Sequence, residues 1–235
     1  MNIHRQLPLP LSASWAPSMD NYCRGTNGLA LDMIGGFRQS TDVHQIYLWG
    51  GAQCGKSHLL LAAHNDFLSD QQRSFYVSLK EPSLSVDLFD SLEGYALLAL
   101  DDIDHVAGND QWEQALFNII NFTRERFGKI IFAASSAPAA HIWTLPDLVS
   151  RLTWGPIFKL QALSEAHIRE AFLLQADKKG LQISEETIEY LLSRHSRDVN
   201  SLFELVAFLD RESLAAGRAR ITIPFLKSCL PQDQP

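Results

Sequence analysis

The sequence predicts an α/β fold in which a parallel sheet is flanked by helices and followed by a small helical domain. The main observation is that short apolar runs alternate with helical patterns, namely at Gln45–Trp49, Phe75–Leu79, Ala96–Leu100, Ile130–Ala134 and Ile157–Leu160. Near-continuous apolar strands separated by helices are typical of a parallel sheet covered on both faces. After Leu160 the strand patterns stop and helical patterns follow, which predicts the second domain.

The first residues are rich in proline, which is excluded from helix interiors and from central strands. We therefore predict three segments: an extended tail over 1–18, an α/β domain over 19–162 and a helical domain over 163–235. Within the last segment, helices are expected at Ser164–Lys178, Ser184–Arg194 and Asp198–Ala215, followed by a strand-like Arg220–Ile223 and a final helix from Pro224. Ser164, Ser184 and Asp198 suit the N-cap positions of these helices.

A phosphate-binding loop is the most informative motif. The stretch has the pattern G-x-x-x-x-G-K-S and consists of Gly50, Gly51, Ala52, Gln53, Cys54, Gly55, Lys56 and Ser57. It follows an apolar strand and opens the helical run that begins at His58, which is the setting that the motif requires. Lys56 is expected to reach the phosphates of a nucleotide, and the Ser57 hydroxyl is expected to bind Mg²⁺.

Two acidic residues end the third predicted strand. Asp101 is expected to hold the Mg²⁺ ion, and Asp102 is expected to polarise an attacking water. The alternative is a strand that ends in solvated carboxylates, which the intact phosphate loop disfavours. Ser135 follows the fourth strand, where a residue that senses the γ-phosphate would lie.

The helix between the third and fourth strands carries an apolar stripe at helical spacing. We expect this stripe to face the core, and its members are Trp112, Leu116, Ile119, Ile120, Thr123 and Phe127.

Composition excludes several classes of protein. The 235 residues carry a formal net charge of −7, which disfavours broad non-specific binding to nucleic acid. The three cysteines are isolated, so neither a disulfide framework nor a zinc site is expected. The absence of a long apolar run or a signal-like N-terminus predicts a cytoplasmic protein with no membrane segment.

These motifs together resemble the AAA+ ATPases of the DnaA branch. The phosphate loop running into His58, and the strand that ends at Asp101-Asp102, are similar to the corresponding motifs of DnaA. The segment from Asp147 to Gly155 resembles the family's box VII, whose last arginine is inserted into the nucleotide site of a neighbouring subunit. The resemblance assigns that arginine-finger role to Arg151, and it implies a P-loop AAA+ domain followed by a helical lid.

The resemblance also implies partners. A segment in the tail is similar to the peptide that docks on the replicative sliding clamp, with Gln6, Leu7, Leu9, Pro10 and Leu11 as contact residues. No segment corresponds to the C-terminal DNA-binding helices of DnaA, so no sequence-specific DNA binding is expected. The implied function is negative regulation of replication initiation, in which the protein docks on the clamp and stimulates hydrolysis of ATP held by DnaA. Homodimerisation remains open.

Three positions refine the implied nucleotide site. Tyr22 lies where this family packs the base, and Ser135 replaces an acid. Asn200 stands where the family has a lid arginine, and Arg197, three residues earlier, is the open alternative for that role. The last two differences imply weak ATP hydrolysis by the protein itself and bound ADP at rest. Two other functions remain open: an autonomous ATPase of the helicase-loader type, and a nucleotide-dependent adaptor that plays no part in hydrolysis.

Overall fold

The computed structural model of the protein describes residues 16–92, 94–140, 143–194 and 199–229. Contacts within the chain divide it after Ala162 into an α/β unit and a second unit that is mainly helical. Helices and strands are numbered here in chain order. Across the described residues, no helix is both long enough and apolar enough to cross a membrane.

The α/β unit is built on a five-stranded parallel sheet. Its strands are β1 Gln45–Trp49, β2 Ser74–Ser78, β3 Leu97–Asp101, β4 Lys129–Ala134 and β5 Ile157–Lys159. They are arranged in the order β2-β3-β4-β1-β5, and every neighbouring pair is parallel. The five strands lie within a residue or two of their predicted positions, and the predicted fold class is confirmed.

Four α-helices belong to this unit: α1 Gly28–Gly35, α2 Lys56–Ser69, α3 Asp110–Glu125 and α4 Pro146–Leu152. Helix α2 begins directly at the phosphate loop. The Asn109 side chain caps α3 by accepting hydrogen bonds from the backbone N–H groups of Gln111 and Trp112. Helix α4 begins with Pro146 at its first position, where proline leaves no hydrogen bond unmade. Helices α1 and α4 were not predicted as elements.

Two buried clusters cover the two faces of the sheet. One packs α3 and α4 against side chains such as Leu98, Leu100 and Phe132. The other packs α1 and α2 against side chains such as Ile46, Leu48 and Ile131. Alternate residues of each strand therefore enter opposite clusters, as expected for a sheet buried on both faces.

The predicted apolar stripe of α3 is correct except at its last member. Leu116, Ile119, Ile120 and Thr123 are buried, whereas Phe127 is 81% exposed. The helix ends at Glu125, and Phe127 adopts a positive φ of 55° beyond it. The prediction for Phe127 was wrong because the helical periodicity was extended past the end of the helix.

The second unit contains helices α5 Glu165–Lys178, α6 Glu185–Arg194, α7 Val199–Ala216 and α8 Ile223–Cys229. Ser164 caps α5 through a hydrogen bond from the backbone N–H of His167, as predicted. The strand-like segment predicted at Arg220–Ile223 forms β7 Arg220–Ile221, which pairs in parallel with β6 Gln182–Ile183. Strand β6 was not predicted, because two residues are too few to produce a readable alternation. Asp198, a predicted cap, lies outside the described residues.

Candidate functional site

The phosphate loop lies at the carboxyl end of β1, and its backbone has the shape of an anion cradle. Gln53 and Gly55 adopt positive φ values of 58° and 90°. When right-handed and left-handed backbone conformations alternate in a loop, successive N–H groups are directed toward one centre, and this arrangement favours binding of an anion. A Cβ atom on Gly50 would lie 2.4 Å from the carbonyl oxygen of Leu160, so only glycine fits. Gly50 and Gly55 therefore stand at positions where a side chain would not fit.

Lys56 lies inside the loop. Its Nζ donates to the carbonyl oxygens of Gly50 and Gly51, both at 2.8 Å, and lies 3.7 Å from Cys54 Sγ. The ammonium group is thus held at the centre of the loop by its own backbone. It is the cation closest to the anion cradle among the loop's residues.

Ser57 and Asp101 come together at the first turn of α2. The Ser57 hydroxyl donates a hydrogen bond to the Asp101 carboxylate. That carboxylate is 1% exposed and also accepts from the Tyr76 hydroxyl at 3.1 Å and from the backbone N–H of Asp102 at 2.9 Å. The pKa of Asp101 is raised above its usual range, mainly by burial and also by the negative charge of Asp102, although these hydrogen bonds act to lower it. Tyr76 was not predicted from the sequence, although it lies on the strand next to β3.

Asp102 and Ser135 have other partners at the same edge of the sheet. Asp102 adopts a left-handed conformation, and its carboxylate accepts from Ser78 Oγ at 2.7 Å. Ser135 follows β4, and both its backbone N–H and its hydroxyl donate to Asp104. Asp104, which the sequence analysis overlooked, thus supplies an acid beside Ser135. The sequence did offer a signal for Asp104, because this acid stands only three residues after Asp101.

Tyr22 and His58 cover one side of the loop. The Tyr22 ring lies against Gly55, where a Cβ atom would be 2.7 Å from the ring, and burial raises its pKa to about 12. The His58 ring meets Tyr22 edge-on at 5.4 Å, and its Nε2 is 3.1 Å from the carbonyl oxygen of Ser18. Burial lowers the pKa of His58. The His58 side chain is therefore engaged by the segment that leads into the α/β unit.

Asn27 fixes Tyr22 to the same site and was not predicted from the sequence. Its Nδ2 donates to the carbonyl oxygen of Gln161, and its Oδ1 accepts from the backbone N–H of Gln161, both at 2.9 Å. The same Nδ2 donates to the Tyr22 hydroxyl at 3.1 Å. Because Asn27 is 4% exposed, these bonds satisfy a buried amide and hold the loop's flank in place.

Arg151 lies near the amino ends of the parallel strands, whereas the phosphate loop lies at their carboxyl ends. Its carbonyl oxygen accepts a hydrogen bond from Gln45 Nε2 at 2.8 Å, and Gln45 is the first residue of β1. The phosphate loop follows the last residue of that strand, so about 13 Å of extended chain separates the two ends. Arg151, on α4, therefore contacts the amino end of β1, whereas the loop follows its carboxyl end.

The Arg151 guanidinium is stacked on aromatic rings. Its central carbon lies 4.0 Å from the centroid of Trp154 and 5.3 Å from that of Phe117. Arg124 also lies 4.0 Å from the Trp154 centroid. We refer to Arg124, Trp154 and Arg151 as the Trp154 stack.

Two groups of predicted site residues cannot be placed. Gln6, Leu7, Leu9, Pro10 and Leu11, the predicted clamp-binding residues, lie outside the described residues. Asn200 falls in the first turn of α7, but its side chain is outside the described part of the chain.

The residues at the carboxyl edge fit a nucleotide with Mg²⁺. The cradle of N–H groups and the Lys56 ammonium suit phosphate oxygens. A hydroxyl and a carboxylate in contact, Ser57 and Asp101, are the hard oxygen ligands that Mg²⁺ prefers. Among the described residues, no group of three or more His, Cys, Asp or Glu side chains is arranged to hold a metal ion.

Comparison with known proteins identifies relatives of both units. The family model described as "Hda, lid domain" matches residues 165–230. A Haemophilus influenzae protein described as "Uncharacterized protein" is 38% identical over 233 residues, which cover 97% of this chain and 99% of the relative.

Solved structures of DnaA share the fold. Domain III of the Thermotoga maritima replication initiation protein DnaA superposes with a TM-score of 0.69 at 18% identity, covering 90% of this chain and 96% of that one. DnaA bound to AMPPCP and single-stranded DNA gives a TM-score of 0.66 at 22% identity over 82% of this chain, which spans 64% of that structure. Residues 165–230 therefore belong to the Hda lid family, and the fold of the chain is the one seen in DnaA domain III.

Proposed function

We propose that this protein is a nucleotide-binding regulator of replication initiation, which acts in the cytoplasm to stimulate hydrolysis of ATP held by DnaA. Arg151 is the finger that enters DnaA's nucleotide site, and the protein docks on the sliding clamp through the tail residues Gln6, Leu7, Leu9, Pro10 and Leu11. Nucleotide bound at its own loop sets the conformation in which Arg151 is presented.

The observation that supports this function best is the separation of Arg151 from the protein's own phosphate loop. A residue that stabilises charge on a transferring phosphoryl group must contact its oxygens. Arg151 lies on α4 and its carbonyl oxygen bonds the amino end of β1, while its guanidinium stacks on Trp154 and Phe117. An arginine in that position is suited to the nucleotide of a neighbour, because its own loop follows the other end of the strand.

The protein's own nucleotide, ADP or ATP, would be held by the phosphate loop. Its phosphates would lie among the N–H groups of residues 50–57 with Lys56, and Ser57 and Asp101 would hold Mg²⁺. When bound, the ion neutralises phosphate charge. Tyr22 would flank the base, and Ser135, with Asp104 beside it, would face the terminal phosphate.

Weak hydrolysis by the protein itself is expected. The carboxylate of Asp102, the predicted water-polarising group, is hydrogen-bonded to Ser78. The bond from Ser78 occupies one oxygen of Asp102 and makes the carboxylate a weaker base toward a water. The protein would therefore act mainly on DnaA's nucleotide.

Substitution of Arg151 tests the proposal. Arg151→Ala should lower DnaA-bound ATP hydrolysis, measured with clamp-loaded DNA, by at least about 100-fold, because a finger supplied in trans contributes 10³–10⁵ in rate. Arg151→Lys should not restore it, since an ammonium lacks the planar fork that engages phosphate oxygens in pairs. Binding of labelled ADP to the protein itself should be unchanged in both variants.

Arg126→Ala is the matched control, because Arg126 ends α3 at the same edge of the sheet and stacks on Phe122 at 3.8 Å. It should stimulate DnaA as the parent protein does. Full stimulation by Arg151→Ala would contradict the finger assignment and favour a nucleotide-dependent adaptor. ATP turnover without DnaA would favour an autonomous ATPase.

A further inference from the structure

The Trp154 stack places two positive charges on one indole ring with no anion between them. Arg124 and Arg151 each lie 4.0 Å from the Trp154 ring centroid. Within the described residues, neither guanidinium has a carboxylate at ion-pair distance. Arg151 Nε is buried and has no hydrogen-bond partner there. Both cations are therefore held by an aromatic face instead of by an acid.

This mode of support leaves the terminal N–H groups of Arg151 available, while its Nε is buried. A guanidinium carries its N–H groups in the plane of the fork, whereas stacking uses the flat face. A carboxylate partner would occupy the fork and compete with phosphate oxygens for it. An aromatic partner restricts the side chain without using those donors.

The indole itself is only partly fixed by packing. Trp154 is 39% exposed, and a cavity of about 140 Å³ lies beside it, lined by residues that include His44, Gln45 and Arg124. The ring therefore has space into which it can rotate. Arg124, stacked on the same ring and anchored near the end of α3, opposes that rotation.

We propose that Trp154 is a positioning residue that holds the Arg151 finger with its fork free for a neighbour's phosphates, and that Arg124 fixes the indole for this purpose. This inference rests on the proposed function of Arg151. It assigns no contact between Trp154 and the neighbour's nucleotide, so Trp154 acts through the orientation of Arg151 alone.

The test measures stimulated hydrolysis of DnaA-bound ATP as a function of protein concentration, with clamp-loaded DNA. Trp154→Leu should lower the maximal rate about tenfold, because the cation–π contact that orients Arg151 is lost and a misplaced finger stabilises the transition state poorly. The concentration that gives half the maximal rate should stay unchanged. Trp154→Phe and Trp154→Tyr, which keep an aromatic face, should restore the maximal rate to within about threefold of the parent.

Two controls separate positioning from structure. Trp112 is a half-buried tryptophan on α3 that meets Phe89 edge-on, and Trp112→Leu should leave the maximal rate unchanged. Arg124→Gln should lower the rate about threefold, whereas Arg126→Gln, with the same loss of charge, should not. The thermal midpoint and ADP binding of the Trp154 variants should match the parent, which a general packing role would not allow.

The outcomes distinguish this inference from the function on which it rests. If the parent fails to stimulate DnaA, or Arg151→Ala stimulates fully, both are overturned. If Arg151→Ala is inactive but Trp154→Leu has the parent's maximal rate, only the positioning role is overturned. A change confined to the half-maximal concentration also overturns it, since that would indicate a docking role. Should Trp154→Leu fail to fold, equal rates for Arg124→Gln and Arg126→Gln would overturn it.

Discussion

Lys56 ties the phosphate loop to itself through two carbonyl oxygens, those of Gly50 and Gly51. The same ammonium is the cation that the loop would offer to phosphate oxygens. Its bonds to the loop backbone keep it inside the anion cradle, so little movement is needed for it to meet a phosphate. The residue therefore has both a structural and a binding role.

Lys56→Ala should weaken binding of labelled ADP at least about 100-fold, because the cradle loses its side-chain cation and a charge-assisted hydrogen bond. Equilibrium titration with the labelled nucleotide measures this. Lys159→Ala is the control, since Lys159 lies on β5 with its Nζ 5.0 Å from the Trp49 ring centroid and carries the same charge. Equal ADP affinity in Lys56→Ala and Lys159→Ala would remove the loop from the nucleotide site.

The helix that carries Arg151 is tied to α3 by one buried acid. Glu113 is 0% exposed, and its carboxylate accepts from the backbone N–H groups of Gly108, Thr144 and Leu145 at 2.7, 3.0 and 2.7 Å. Thr144 and Leu145 immediately precede α4. Burial acts to raise the pKa of Glu113, but the hydrogen bonds outweigh it and the pKa is lowered. This single side chain therefore fixes the start of α4.

Glu113→Gln should lower the free energy of unfolding at pH 7 by about 1–3 kcal/mol, because charge-assisted bonds are replaced and one amide group is left poorly paired. The pKa of Glu113 is lower in the folded protein than in the unfolded chain. Its stabilisation is therefore complete above the unfolded pKa, about 4.3, and is lost as the pH falls through the folded pKa. Urea denaturation at pH 7 and at acid pH measures both effects.

The control for this prediction is Glu125→Gln, on the same helix but exposed, which should change stability by less than about 0.5 kcal/mol. The difference in stability between Glu113→Gln and the parent should shrink toward acid pH. A difference that stays constant with pH would show that the charge of Glu113 is not what stabilises α4.

The whole molecule combines two units with separate cores. The α/β unit has a buried cluster on each face of its sheet, and the second unit packs its helices around residues such as Phe172, Leu191 and Leu209. The net charge of −7 coexists with Arg124, Arg126 and Arg151 at the amino edge of the sheet. A partner that offers phosphate oxygens would find local positive charge there in spite of the overall acidity.

The proposed docking on the sliding clamp concerns the whole molecule, because it is assigned to the tail and leaves both cores intact. Gln6→Ala combined with Leu9→Ala should abolish capture of the protein by immobilised clamp, since an extended peptide binds through its side-chain anchors. The thermal midpoint should move by no more than about 2 °C, because the sequence predicts that these residues belong to an extended tail outside both domains. Ser12→Ala with Ser14→Ala, outside the peptide, is the control. Capture that survives in the first double variant would assign the contact to another surface.

Local sequence patterns were enough to predict the strands, the longer helices and the phosphate loop. The apolar runs of β1 and β4 are continuous, and the loop's glycines stand at fixed spacing, so each signal is contained within a few residues. The failures were local as well. Phe127 lay beyond the end of a readable period, and β6 was too short to have one.

Only the tertiary structure decided which distant residues meet. The strand order β2-β3-β4-β1-β5 brings Tyr76 to Asp101 across two neighbouring strands. The same arrangement places Ser135 beside Asp104, and packing of α3 against the segment before β5 stacks Arg124 and Arg151 on Trp154. Each of these contacts depends on strand order, register and helix packing, which are set by burial over the whole domain. The local sequence pattern indicates which chemistry a residue can perform, whereas the tertiary structure determines which residues it contacts.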